Sequence, residues 1–186
     1  MTVPRLIFLA GPNGAGKSTF YETHLKTSGL YFVNADAIKL ALGIPDAEAS
    51  AAADAVRSEL IEQRASFISE TVFSNPVGAK LQFLREAIAA GYEVTLYFIG
   101  IAGPQLSEAR VFQRVLEGGH DVPTESLARR YKQSLKNLAD AIKFVPEVHV
   151  FDNSSIESPH RLVLTFRDGR LRYKATPFPD WLTSVL

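Results

Sequence analysis

Nine consecutive residues, Gly11-Pro12-Asn13-Gly14-Ala15-Gly16-Lys17-Ser18-Thr19, fit the pattern G-x-x-x-x-G-K-[ST] and directly follow the apolar run Leu6-Ile7-Phe8-Leu9-Ala10. Read as a buried strand, a glycine-rich turn and the start of a helix, this stretch turns successive backbone N–H groups and a helix N-terminus toward an anion. Each fixed side chain has its own task. Lys17 can reach β- and γ-phosphates as a point charge, Ser18 can place a hydroxyl on Mg2+, and Thr19 can hydrogen-bond near the α-phosphate. A tight turn before a helix accounts for the glycines but not for strand, lysine and hydroxyls in order. The pattern implies binding of ATP, or another nucleoside triphosphate, with Mg2+.

A phosphate loop leaves the second substrate open, so the acids and bases at other strand ends matter. Asp36, in Val33-Asn34-Ala35-Asp36, follows a short strand and can take a proton from an acceptor hydroxyl; its plainer role is to cap the next helix. Glu70, in Ser69-Glu70-Thr71, ends another strand, where it can hold Mg2+ through water, bind acceptor hydroxyls, or simply be solvated. The strongest strand, Glu93 to Ile99, runs into Gly100 without an acid, which argues against a motor or transport ATPase.

A third constellation is basic. Arg110 and Arg114 stand four apart and share one helix face, away from a stripe of Ala109, Phe112 and Leu116. After the turn Gly118-Gly119-His120-Asp121-Val122-Pro123 comes a helix expected to bury Leu127, Tyr131, Leu135, Leu138 and Ile142, with Arg130 nearer that stripe than Arg129. Facing arginines across a glycine hinge suit a lid that closes on a phosphoryl group. On surface helices such arginines are otherwise solvated charge. The four histidines, His24, His120, His149 and His160, show no metal-ligand spacing, and His120 is read as organising its turn. Asp152-Asn153, after the last parallel strand, either lies near the adenine or merely ends the strand.

The elements that position these residues alternate. Strands are expected at the first apolar run, at Tyr31 to Val33, at Phe67 to Ser69, at Glu93 to Ile99 and at Val148 to Phe151. Helices fall at about 17–27, 46–64 with Asp46 as cap, 75–91 opened by Asn75-Pro76, 104–117 and 124–144. That alternation predicts an α/β three-layer sandwich with a mainly parallel five-stranded sheet and ligands at the strands' carboxyl ends. The lid spans about 104–131. Arg167-Asp168-Gly169-Arg170 predicts a hairpin turn within an antiparallel appendage at about 160–175, and Pro177, Pro179 and Trp181 lead into a short strut packed on the domain.

Composition sets the outer bounds. At 186 residues one domain over 1–186 is expected. A chain of that size buries roughly 70% of its unfolded surface. Twenty basic and twenty acidic residues cancel, which argues against nucleic acid or a membrane surface as partner, though not against a local basic groove. No cysteine is present, so disulfides, zinc-thiolate sites and thiol nucleophiles are excluded. No apolar run spans a bilayer and the N-terminus lacks a signal-like core, so a cytoplasmic location is expected.

The loop, the Asn34-Ala35-Asp36 step, the Ser69-Glu70-Thr71 strand end, and the Gly118-Gly119-His120-Asp121-Val122-Pro123 turn followed by Arg129-Arg130-Tyr131 resemble the zeta toxin family of phosphate-loop kinases over about 5–153. The resemblance is to its short single-domain members. It implies ATP-dependent phosphorylation of a hydroxyl on a small molecule, with the nucleotide sugar UDP-N-acetylglucosamine the acceptor of the best known members, and a separate antitoxin protein as partner. It assigns Lys17 and Ser18 the loop roles, Asp36 the base, Glu70 and Thr71 acceptor contacts, and Arg114 and Arg130 the phosphate clamp; Arg110 is assigned to substrate binding. Two other readings stand beside it. A polynucleotide 5′-hydroxyl kinase shares loop and lid but calls for a basic groove, and a nucleotide-dependent ATPase switch needs no acceptor.

Overall fold

Alternation along the first apolar run sets the layering. In the computed structural model, which describes residues 2–116, 123–183 and 185, β1 (Arg5–Ala10) sends Leu6, Phe8 and Ala10 into one core cluster and Leu9 into another. A strand buried on both faces requires helices on both sides of its sheet. The sheet has the order β2-β3-β1-β4-β5-β6-β7, with β2 (Tyr31–Val33), β3 (Phe67–Thr71), β4 (Glu93–Gly100), β5 (Glu147–Asp152), β6 (Arg161–Arg167) and β7 (Arg170–Lys174). Strands β1 to β5 pair in parallel, as expected. The hairpin is no separate appendage: β6 pairs antiparallel with β5 and brings the sheet to seven strands rather than five. Its turn is the expected Asp-Gly one, with Asp168 at φ 51° and Gly169 at φ 69°. Both values lie in the left-handed region that a tight two-residue turn demands.

The helices are α1 (Lys17–Phe20), α2 (Ala35–Leu42), α3 (Asp46–Glu62), α4 (Ala79–Ala89), α5 (Pro104–Leu116) and α6 (Thr124–Ile142). After α1 the chain stays helical but changes pitch, through a wide turn at Tyr21–Leu25 and a tight one at Lys26–Ser28. Thr23 Oγ1 donates to the Thr19 carbonyl at 2.8 Å. Such a bond competes with the regular helical ladder. Two expected helix starts are corrected. Pro45 and not Asp46 holds the cap position of α3, Asp46 being its first helical residue with its carboxylate paired to Lys39 at 2.6 Å, and α4 begins four residues after Asn75, whose side chain instead accepts from the Val77 and Ala79 N–H groups.

The stripe expected on α5 is also wrong. The helix buries Ser107 and Val111, while Phe112 and Leu116 stand 63% and 73% exposed. Helix α6 buries Leu127, Tyr131, Leu138 and Ile142 as expected, leaves Leu135 half-buried, and adds Ser134 and Asn137. The turn from Glu117 to Val122, including the Gly118-Gly119 hinge and His120, lies outside the described residues. Near the C-terminus Trp181 lies over Gly100, where a Cβ atom would come within 2.0 Å of the indole, and donates from Nε1 to Asp152 at 3.1 Å. The strut is therefore pinned against the ends of β4 and β5.

Candidate active site

The carbonyls of the phosphate loop from Pro12 to Gly16 all have donors, those of Asn13, Gly14 and Ala15 from outside the loop. Lys17 Nζ donates to the Pro12 carbonyl at 3.1 Å, Ser107 Oγ to Asn13 at 2.7 Å, Arg110 Nη1 to Gly14 at 3.4 Å and Asn153 Nδ2 to Ala15 at 2.9 Å. The Gly16 carbonyl accepts from the Phe20 N–H at 2.9 Å, and His160 Nε2 lies 3.3 Å from it. Burial keeps the His160 imidazole below its ordinary pKa, so a neutral ring stands behind the loop. With five successive carbonyls already satisfied, the remaining N–H groups are what the loop's backbone has left to offer an anion. Two glycines are obligatory. A Cβ on Gly11 (φ 147°) would sit 2.0 Å from the Ile99 carbonyl oxygen, and one on Gly16 (φ 87°) 2.4 Å from Asn153 Nδ2. Only glycine adopts such backbone angles without strain. Asn153 thus belongs to the loop's support, while Asp152 is occupied by Trp181 and Ser154.

Lys17 is buried, at 7% exposure. Burial lowers its pKa, opposed by Glu70 and Asp36. Ser18 is exposed to the cleft and its hydroxyl donates to the Glu70 carboxylate at 3.3 to 3.4 Å. Glu70 itself is only 8% exposed, so the solvated reading of this residue is wrong. The sheet order explains the contact: β3 lies directly beside β1, with Leu9 opposite Glu70 and Ala10 opposite Thr71. The strand carrying an acid next to the loop is β3, whereas sequence reasoning looked for it on β4.

Asp36 is not the cap of α2. Asn34 Oδ1 accepts from the Ala37 N–H at 2.9 Å, which leaves Asp36 in the first turn, exposed and lining the cleft. Asparagine is among the best residues for that capping role. Arg110 and Arg114 on α5 line the same cleft, as do Arg129 and Arg130 on α6, with Arg129 the more exposed of that pair. The cleft measures about 1060 Å³. Small-ligand pockets typically run to roughly 300–1,000 Å³, so the cleft stands at the upper end of that range. Thr71 and Thr19 complete the lining named by the sequence. The donor set fits Mg·ATP: a glycine-rich loop, a buried ammonium, a hydroxyl beside a carboxylate, and an Asn13 Oδ1 that is buried with no partner among the described residues. No group of three or more His, Cys, Asp or Glu able to hold a metal occurs among the described residues, so a metal here would depend on Ser18, Glu70 and phosphate oxygens.

Sequence reasoning missed Arg57, Ser107 and Asn137. Each is buried, polar and bonded to a cleft segment, and none stands in a motif.

The zeta toxin family model matches residues 2–161. This chain belongs to the zeta toxin family. A protein of uncharacterised function from Haemophilus influenzae is 27% identical over 132 residues, 68% of this chain and 92% of that one. The crystal structure of AvrRxo1-ORF1:-ORF2 with ATP superposes with a TM-score of 0.71 at 20% identity, over 92% of this chain and 60% of the other. The PezAT chromosomal toxin–antitoxin system of Streptococcus pneumoniae superposes at 0.58 with 17% identity, over 93% and 71%. This zeta toxin family chain thus spans about three-fifths of the AvrRxo1 chain it matches, and the likeness to these structures is one of fold. Among the described residues no helix is long and apolar enough to cross a membrane.

Proposed function

We propose that this member of the zeta toxin family is an Mg·ATP-dependent kinase that phosphorylates a hydroxyl of a small molecule, a nucleotide sugar of the UDP-N-acetylglucosamine kind. The observation that carries the reading is one cleft lined at once by Lys17, Ser18, Asp36, Glu70, Arg114 and Arg130. Seven cations line it, two of them, Arg57 and Lys80, sharing the carboxylate of Asp54, against the two lining carboxylates Asp36 and Glu70, in a chain whose net charge is zero. Mg·ATP brings about two negative charges, so an acceptor with its own diphosphate suits the surplus better than a neutral sugar.

Ser18 and Glu70 would hold Mg2+ on the phosphate side of the cleft, where the ion would supply neutralisation of charge. The chain's own residues do the rest. The loop N–H groups and Lys17 fix the phosphates, and Ser18 with Glu70 offers oxygens on the metal side. Asp36 holds the acceptor hydroxyl and takes its proton as the new bond to the γ-phosphorus forms and the bond to the bridging oxygen breaks, releasing ADP. Arg114 and Arg130 stabilise charge on the transferring group, Thr71 and Arg110 contact substrate, and closure of α5 and α6 excludes water. A neutralising antitoxin protein and a cytoplasmic location belong to the same reading. Incubation with labelled ATP and a panel of nucleotide sugars, sugars and 5′-hydroxyl oligonucleotides tests it. Label in a nucleotide sugar supports it, label in oligonucleotide moves the chain to the polynucleotide class, and acceptor-independent ADP release alone refutes the acceptor.

A further inference from the structure

A guanidinium buried behind a strand end needs a reason, because taking it out of water costs several kcal/mol unless its donors are used. Arg57 on α3 is 3% exposed and uses three nitrogens: Nε donates to Ser69 Oγ at 2.7 Å, Nη1 to Asp54 Oδ1 at 2.6 Å and Nη2 to the Glu70 carbonyl at 3.0 Å. Lys80, on α4, pairs with the same Asp54 carboxylate. Strand β2 stops with Val33 opposite Ser69, so the last residues of β3 have no neighbour strand on that flank. Arg57 supplies hydrogen bonds at this end of the strand, and it does so at the residue whose side chain meets Ser18 from 3.3 Å.

We propose that Arg57 is a positioning residue, which clamps the end of β3 through Ser69 and the Glu70 carbonyl and thereby sets the Glu70 carboxylate against Ser18 for the metal that accompanies the donor nucleotide. This rests on the Mg·ATP reading of the cleft. The clamp is a fork: one planar group spans α3 and two consecutive residues of β3, which no apolar side chain and no ammonium reproduces. Asp54, held by Lys80 as well, fixes the guanidinium from the side away from β3. Removing an outer partner of a metal-side group typically costs about 10- to 100-fold in metal affinity or activity.

The test is calorimetric titration of ATP into the full chain, with and without Mg2+, for wild type, Glu70→Gln, Arg57→Gln, Arg57→Lys and Arg57→Gln/Glu70→Gln, with melting curves beside it. Expected for Arg57→Gln is a loss of about tenfold in the Mg2+-dependent part of ATP affinity, with Mg2+-free binding unchanged. Arg57→Lys recovers only part of it. In the Glu70→Gln background the Arg57 change adds nothing, since the carboxylate it positions is gone. Ser69→Ala keeps the guanidinium and removes one bond of the fork, so a smaller loss of the same kind keeps the question answerable if Arg57→Gln fails to fold. A folded Arg57→Gln protein with lowered melting temperature but wild-type Mg2+ dependence makes Arg57 a structural residue and overturns the proposal, as does a loss that adds to that of Glu70→Gln. If wild-type chain binds ATP no better with Mg2+ than without, the donor-site reading falls together with it.

Discussion

Replacing Lys17 by Ala separates fold from chemistry, because its burial makes the two costs computable. The Lys17 ammonium donates to the Pro12 carbonyl at 3.1 Å. A hydrogen bond from a charged donor contributes about 1.5–3 kcal/mol. Desolvation of a buried ammonium opposes that by several kcal/mol, relieved in part by Glu70 and Asp36. The two nearly cancel, so stability should change by about 1 kcal/mol in either direction, or about 2–4 °C in melting temperature for a chain of this size. Turnover should behave quite differently. Loss of one preorganised group facing developing charge costs about 100- to 1000-fold, or about 2.7–4 kcal/mol of barrier. The assay is ADP release coupled to an acceptor, with melting by circular dichroism. A folded Lys17→Ala protein that keeps more than about a third of wild-type turnover refutes the placement of Lys17 on the transferred group, whatever its melting temperature.

The same geometry fixes four further outcomes. Asp36→Asn should lower turnover by about 100- to 10,000-fold while ATP affinity and stability hold, because Asn34 and not Asp36 caps α2; an equal loss of ATP affinity in calorimetry would point to a metal-side role instead. Arg114→Ala and Arg130→Ala should each reduce the turnover number more than ATP affinity, and the double change should fall short of additive, whereas full turnover in both single variants makes them surface charge. Asn153→Ala leaves the Ala15 carbonyl without its side-chain donor and should weaken ATP binding by about tenfold, read by calorimetry against an unchanged turnover number at saturation. Raising pH through the lowered Lys17 pKa toward the ordinary value of 10.5 should weaken ATP binding as the ammonium is lost. Over that same window the unfolded chain still holds the proton that the folded chain has released, so the stability of the ATP-free protein should rise; Lys17→Met should remove both trends.

What could be read from the sequence was local. The phosphate loop, the Asn34-Ala35-Asp36 step and the Ser69-Glu70-Thr71 strand end each sit within a few residues of the turn or cap that shapes them, and the strands announced themselves as apolar runs. The hairpin was equally local, although its attachment to β5 was not. The errors share a different cause. Phe112 and Leu116 looked like a buried stripe on α5, yet the helix turns Ser107 and Val111 inward because Ser107 has the Asn13 carbonyl to meet, 94 residues away. An acid was sought on β4 because order in the chain does not state which strand lies beside β1 on each side, and β3 carries it.

The same argument explains why Arg57, Ser107 and Asn137 were invisible. Arg57 stands in an Ala-rich helix, where an arginine reads as solvated charge; only the fold brings Ser69 and Glu70 to it. Asn137 lies with Ser134 on the mostly apolar buried face of α6, and its amide donates to the Phe73 and Asn75 carbonyls, 64 and 62 residues back, in the loop that follows β3. That loop needs an external hold, since Phe73 sits at φ 61°. A bulky residue does not adopt such a conformation unaided. Loops that line a cleft cannot use the regular ladders of strands and helices to satisfy their carbonyls, and they cannot leave them bare in the interior. Buried side-chain donors from distant elements must reach them. In a fold of this kind, polar residues sealed into the core on helices flanking the strand ends are therefore where the support of the active site is to be sought, and their identity follows from topology before it follows from any motif.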